Sequence, residues 1–261
     1  DPHLEFVSGI LEVTSQRNYS LLLQTTPNEN QEILSMIRQG FIDGLILMEI
    51  KLEDPRVVML KEHNYPFTMI GHCSNNEGIN FVDLDFDYAL HTCVNYLADL
   101  GHTHMAFINN ASELLEKALG YVVRSEQAFH HALTQRKLEG ISYFCGPESQ
   151  SGYDAAQTLL REHPELTAII TSNAWVSGGI TRAVYDKGLK IPEDLSLVGI
   201  VSSHIAELTT PQLTTLDFPF HEMGRLGADM LIRQLENEEV STQLLLTPPL
   251  TIRQSSGSRA K

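Results

Sequence analysis

Asp85, Arg124, Asn173 and Trp175 are the side chains in this sequence best suited to gripping a small polar molecule. Asp85 closes a short apolar run at 81–85 that reads as a strand. Its carboxylate either accepts hydrogen bonds from a hydroxyl-rich ligand or serves as an ordinary strand-end turn residue. Asn173 follows a second such run, 168–172, and an amide there offers both a donor and an acceptor. Trp175, the only tryptophan, comes two residues later and precedes a helix rather than lying on its apolar face. That placement favours a ligand or subunit interface over the core, since aromatic faces bury large areas at such surfaces. Arg124 is either a ligand-binding cation or a solvated arginine on a helix. Met48, Glu49 and His72 follow other strand ends, and His3 and Leu4 open the first helix. Each is a candidate contact, with ordinary packing or exposure as the alternative.

Bond-making chemistry is not spelled out. The chain has no G-x-G-x-x-G, G-x-x-x-x-G-K-[ST] or G-x-S-x-G string. A serine hydrolase would need a nucleophile on a strained turn with an oriented base, and no such constellation stands out. The expectation is therefore a binding protein and not an enzyme. Among 11 histidines, His102-x-His104 invites a metal reading, but His102 belongs to a Gly-His turn between helix and strand. His130 and His131 are adjacent on a helix and cannot share one face. Cys73, Cys93 and Cys145 are far apart in sequence and odd in number, as expected of buried thiols in a reducing compartment. No metal and no cofactor are expected.

Eighteen Lys and Arg against 33 Asp and Glu give a formal net charge of −15, and Arg136-Lys137 is the only adjacent cation pair. A duplex-binding surface needs clustered cations to neutralise phosphates, so any DNA-reading part is expected outside these residues. No apolar run reaches the roughly 20 residues of a membrane span. There is no basic-then-apolar leader, and a cytoplasmic location is expected. A hydrophobic content of 42% over 261 residues allows two core-bearing lobes.

The elements that must position these residues alternate between strand-like and helix-like periods from end to end, which means parallel sheets with crossover helices. Asp1-Pro2 reads as a cap and first helical residue, followed by a stripe of Phe6, Ile10 and Val13. Strands are expected at 19–24, 44–50, 67–71, 81–85, 105–109, 141–145, 168–172, 195–200 and 213–218, with a final extended segment over 243–254. Helices are expected at 29–39, 55–63, 87–100, 122–137, 151–163, 176–187 and 219–237. The run 188–200, Gly-Leu-Lys-Ile-Pro-Glu-Asp-Leu-Ser-Leu-Val-Gly-Ile, holds a helix end, a wet turn and a buried strand.

That run resembles the G-x-x-I/V-P-E-D-x-S-x-V-G-F segment of the lactose/galactose-repressor (LacI/GalR) family of transcription regulators. Four further segments match it in order. They are Val82-Asp83-Leu84-Asp85 through Gly101-His102-x-His104-x-Ala106; Ala168 to Asn173 through Gly179; Pro211-x-Leu213-Thr214-Thr215 through Met223-Gly224 and Ala228; and Pro249-Leu250-x-x-Arg253-Gln254-Ser255. The resemblance implies an α/β fold of two doubly wound parallel-sheet lobes, periplasmic-binding-protein-like, with a cleft between them. It implies an N-terminal lobe over 1–100 with crossover segments from about 219–240, a C-terminal lobe over 101–218 and 241–255, and a disordered tail at 256–261. It also implies a strand ahead of the first helix, expected outside the numbered chain.

By the same resemblance the chain is the effector-binding and dimerisation domain of a bacterial regulator. A small molecule, carbohydrate by family expectation, binds in the cleft and controls operator binding by a helix-turn-helix headpiece absent here. Ligand contacts would come from His3, Met48, His72, Asp85, Arg124, Asn173 and Trp175. The homodimer interface would involve Gly178, Arg182, Ile205 and Leu208. Three positions depart from the pattern: Ser125 stands where the gripping arginine falls, one residue after Arg124, and Ala174 and Val201 replace aspartates. A free-standing periplasmic-type sugar-binding protein of a transport system is the alternative.

Overall fold

Short apolar runs bounded by polar turns fold as strands, and the stretches between them wind back as helices. The computed structural model describes residues 2–24, 30–238 and 242–259. In chain order the elements are α1 (Pro2–Gln16), α2 (Asn30–Arg38), β1 (Leu45–Leu47), α3 (Pro55–Glu62), β2 (Phe67–Ile70), β3 (Asn80–Leu84), α4 (Phe86–Asp99) and β4 (His104–Asn109). There follow α5 (Ser112–Glu116), α6 (Gly120–Arg136), β5 (Glu139–Phe144), α7 (Ser149–Glu162), β6 (Ala168–Thr171), α8 (Ser177–Asp186) and β7 (Ser196–Val201). The last are α9 (Ser203–Leu208), β8 (Thr214–Asp217), α10 (Phe220–Leu235), β9 (Gln243–Leu246) and β10 (Leu250–Thr251).

The chain forms two units, each built on its own sheet. The first comprises Asp1–Leu84, Ala118–Gly120 and Pro219–Leu246. Its four strands run parallel in the order β1-β2-β3-β9. Helices α1 and α10 pack together there, with Phe6 edge-on to Phe220 at 5.0 Å between ring centroids. The second unit comprises Asp85–Lys117, Tyr121–Phe218 and Thr247–Lys261. Its sheet has the order β10-β8-β7-β6-β4-β5, parallel except for the β10 edge. Ala106, Ile108, Ile169, Leu197 and Val201 of its strands pack with Ala155, Leu159, Ile180 and Val184 of α7 and α8 in one buried core.

The helix end at Gly188 is as read from the sequence. Gly188 has φ +76°, a left-handed conformation that glycine adopts without strain, and the chain turns directly toward β7.

Several expectations are corrected. Residues 19–24 pair with no strand among the described residues, and Leu22 and Leu23 are exposed. A run of β-formers becomes a strand only where its backbone pairs with a neighbour, and the outer edge of β1 is left unpaired among the described residues. Helix α4 belongs to the second unit, so the boundary lies at 84/85 rather than near 100. The segment 243–254 divides: β9 joins the first sheet beside β3, and only β10 joins the second. The Asp1 cap lies outside the described residues.

The tail expectation also changes. Ser256 is buried, with its hydroxyl 2.6 Å from Thr214 Oγ1 and 2.9 Å from Tyr96 OH. Gly257 N–H donates to Ser196 Oγ at 3.1 Å, and Arg259 N–H donates to Leu100 O at 3.0 Å. His102 fastens this segment from below. Its Nε2–H donates to Gly257 O at 3.0 Å, and Nδ1 accepts from the Thr167 hydroxyl at 2.9 Å. Burial pushes this imidazole below its usual 6.5, which keeps it neutral for both bonds. A Ser-Gly-Ser-Arg string reads as a tail by composition, yet small hydroxyls satisfy buried strand ends well. Residues 260 and 261 lie outside the described residues. No helix among the described residues is long and apolar enough to cross a membrane.

Candidate functional site

Parallel strands place their following residues at one edge of the sheet, where open α/β proteins receive ligands. In the first unit Met48 and Glu49 follow β1 and His72 follows β2. The backbone of Met48 and Glu49 is held by a buried ion pair that sequence reading missed. Asp54 caps α3 by accepting from Arg56 N–H at 3.0 Å. Arg56 returns two bonds to the same carboxylate, Nε to Oδ1 at 2.9 Å and Nη2 to Oδ2 at 2.7 Å. Its Nη2 also donates to the Met48 and Glu49 carbonyls at 3.0 and 3.1 Å. The signal was present in the Asp-Pro-Arg string, which announces a capped helix with a cation beside the cap.

His3, on the first turn of α1, comes to this strand end. Its Nε2 lies 3.7 Å from Glu49 Oε1. The Glu49 carboxylate holds the imidazole above its usual 6.5, against the opposing effect of burial. His72 is half-buried, donates from Nδ1 to Asp83 Oδ2 at 2.8 Å and stacks on Phe81. Its ring orientation is therefore set from two sides. Leu4 is exposed.

In the second unit Asp85 is the N-cap of α4 and accepts from Tyr88 N–H at 2.9 Å. The turn role weighed from the sequence is thus real for this carboxylate. Arg124 is half-buried on α6. Ser125, one residue on, is buried and faces the sheet, its hydroxyl 3.3 Å from Asn109 Oδ1 and 3.1 Å from Val122 O. Asn109 closes β4, is fully buried and donates to Glu126 Oε2 at 3.3 Å. It is a strand-end amide of the same type as Asn173 that went unnoticed.

Asn173 spends much of its amide on the scaffold. Its Nδ2 donates to Gly146 O and its Oδ1 accepts from Trp175 N–H, each at 3.3 Å. It thereby ties the end of β6 to the loop after β5 and orients the tryptophan. Trp175 is 46% exposed, which excludes the core reading. Ala174 and Val201 are buried, and Val201 joins the apolar cluster where a carboxylate would stand.

Of the interface candidates, Gly178 and Arg182 are exposed on α8, and the Arg182 guanidinium lies over the Tyr153 ring at 4.0 Å. Ile205 is half-buried and packs on the core of the second unit, whereas Leu208 is 72% exposed. Arg253 braces this short helix, donating to Leu213 O at 3.1 Å and lying 3.7 Å from Glu207.

One cluster looks catalytic and is not arranged for it. Ser142 Oγ and Glu126 Oε1 sit 3.1 and 2.9 Å from the same His130 nitrogen, Nε2. A relay needs the base and its orienting carboxylate on opposite nitrogens, so this ring cannot pass a proton between them.

Compared with known proteins, residues 94–256 match the family model described as a periplasmic binding protein-like domain. The chain belongs to this family, in its LacI/GalR branch. The LacI/GalR domain is 24% identical to catabolite control protein A of Priestia megaterium over 94% of this chain and 75% of that protein. It is 26% identical to the ribose operon repressor of Escherichia coli K12, over 97% of this chain and 77% of that protein. Among solved structures it resembles a LacI family transcriptional regulator from Bifidobacterium animalis subsp. lactis, with a TM-score of 0.90, 25% identity, and coverage of 100% of this chain and 96% of that one. The LacI/GalR domain is the effector-binding domain of a regulator, and its relatives are named for regulation rather than catalysis.

Proposed function

We propose that this domain binds a small carbohydrate or carbohydrate derivative and pairs with a second copy of itself. By doing so it controls operator binding by a helix-turn-helix headpiece. The observation that supports this most is the placement of Glu49, His72, Asp85, Asn173 and Trp175, each just past the carboxyl end of a parallel strand. The exposed tryptophan suits stacking on a sugar ring. Alanine and valine at positions 174 and 201 leave fewer charged acceptors, which favours a ligand held by amides, hydroxyls and one or two ionic groups. A free-standing transport-type binding protein is disfavoured because the relatives are regulators.

A thermal-shift panel of sugars, sugar phosphates, purines and nucleosides tests the ligand class. At 100 times its Kd a ligand adds about 2.7 kcal/mol to the folded state. A sugar is expected to raise Tm by several degrees, and Trp175→Ala to remove that rise while leaving the unliganded Tm in place. A response confined to purines or nucleosides, or none at all, would overturn the carbohydrate reading.

Pairing has a separate test. Leu208 is the apolar side chain that α9 turns outward, while Ile205 is engaged in the core of its own unit. Leu208→Asp is expected to convert dimers to monomers in sedimentation without lowering the stability of the chain's own fold by more than about 1 kcal/mol. An intact dimer would move the interface away from α9.

A further inference from the structure

Two histidines and an aspartate meet across α4 and α6, outside every role described so far. Asp87 and His91 lie one turn apart on α4, and His131 faces them from α6. One ligand-type atom from each of the three lies within 4.8 Å of the other two. Asp87 Oδ1 is 3.3 Å from His131 Nδ1 and 3.5 Å from His91 Nδ1. Around a divalent ion with bonds of about 2.0–2.1 Å, neighbouring tetrahedral ligands stand roughly 3.4 Å apart. The Asp87–His131 separation is already at that scale without an ion to draw the two in. The two imidazole rings meet edge to face at 4.9 Å.

We infer that Asp87, His91 and His131 form a binding site for a divalent transition metal of the zinc type, with a fourth position open to water. Two observations beyond proximity carry this. His91 donates from Nδ1 to the Asp87 main-chain oxygen at 2.8 Å, while its Nε2 is buried and meets no hydrogen-bond partner among the described residues. Metal-binding histidines commonly hold one N–H on a carbonyl or carboxylate and give the other nitrogen to the ion. His91 is set in that way, and a metal would satisfy the nitrogen that protein groups leave over. His131 has its own outer partner, since Gln135 Nε2 lies 3.0 Å from His131 Nε2. When Nδ1 takes the metal its proton leaves to solvent, Nε2 carries the remaining N–H, and the Gln135 amide turns its oxygen to accept it.

The site also answers the sequence argument against a metal. His130 and His131 do diverge on α6, and His130 is engaged by Glu126 and Ser142. The partner of His131 is His91, on another helix, with Asp87 supplying the carboxylate. Imidazole and carboxylate together suit zinc, nickel or copper better than magnesium or calcium.

The test uses the whole chain after chelator treatment and removal of any histidine tag. Zinc titration by calorimetry is expected to show one equivalent bound per chain, and cobalt to give the visible absorption of a tetrahedral or five-coordinate centre. Loss of an outer partner alone costs roughly 10- to 100-fold in metal affinity. His91→Ala and His131→Ala should therefore weaken zinc by about 100-fold or more. His130→Ala, next door on the helix, should bind as the parent does. Asp87→Asn reads the carboxylate with little change of shape, so an effect shared by all three ligand variants does not rest on any one of them folding poorly. No saturable zinc binding, or binding that survives His91→Ala and His131→Ala, would overturn the site.

Discussion

Gly224→Ala is expected to lower Tm by about 5–10 °C, the signature of a loss of roughly 2–4 kcal/mol in a domain of this size. Helices α1 and α10 of the first unit cross backbone to backbone. A Cβ on Gly224 would fall well inside contact distance of the Phe6 main-chain oxygen. A Cβ on Gly9 would meet the His221 oxygen and the Arg225 nitrogen in the same way. The obstruction on both sides is backbone, which cannot rotate aside as a flexible side chain can. The helices must separate, and the separation pulls Phe6 from Phe220 and loosens the buried stripe of Phe6, Ile10 and Val13. Gly9→Ala should cost a similar amount. The two together should cost less than their sum, because one separation relieves both clashes. Calorimetric scans of the three variants check this, and a Tm unchanged by Gly224→Ala would show that the glycines do not set the helix spacing.

Asp54→Ala is expected to destabilise by about 3–5 kcal/mol, the usual cost of stranding a buried charge. The pair is almost wholly inaccessible, with side-chain exposures of 8% for Arg56 and 1% for Asp54. The carboxylate accepts from Lys51 N–H, Arg56 N–H, Nε and Nη2. Burial alone would raise its pKa, but Arg56 and the two amides outweigh burial and hold it below the usual 3.8. The sign of the linkage follows. A carboxyl with a depressed folded pKa contributes stability in full above 3.8, and that contribution is lost as pH falls through its lower folded value. The gap in Tm between parent and Asp54→Ala should therefore be widest near neutrality and shrink in acid. A gap that is constant with pH would mean that Asp54 acts by shape and not by charge. The consequence reaches the candidate ligand residues, because Arg56 also holds the carbonyls of Met48 and Glu49.

Most of the alternation of strand and helix was readable because its causes are local. Leu195 to Ile200 is apolar on both faces, Gly188 ends a helix at positive φ, and a strand must follow the turn. The exception at 19–24 has the same physics seen from the other side. Its residues favour a strand, but strand structure is a property of pairs, and residues 19–24 pair with no strand among the described residues. Asn173 was visible because it closes an apolar run, and Asn109 was equally visible by that rule but carried no motif to draw attention. Arg56 was the harder case, since nothing in a Pro-Arg-Val string says that its guanidinium will be buried.

The sequence by itself determined most of the succession of elements, the family, and the strand-end positions of the candidate ligand residues. All of these depend on residues near one another in the chain and on their order. The tertiary structure decided which sheet received each strand, placing 243–246 in one unit and 250–251 in the other. It decided that Leu208 faces out while Ile205 packs inward. It also brought His91 to His131 across forty positions, where the adjacent pair His130-His131 had pointed to no site. The physical reason is common to all three. Local sequence sets the period of an element, but which face is buried, and what meets it, depends on how elements distant in the chain dock against one another.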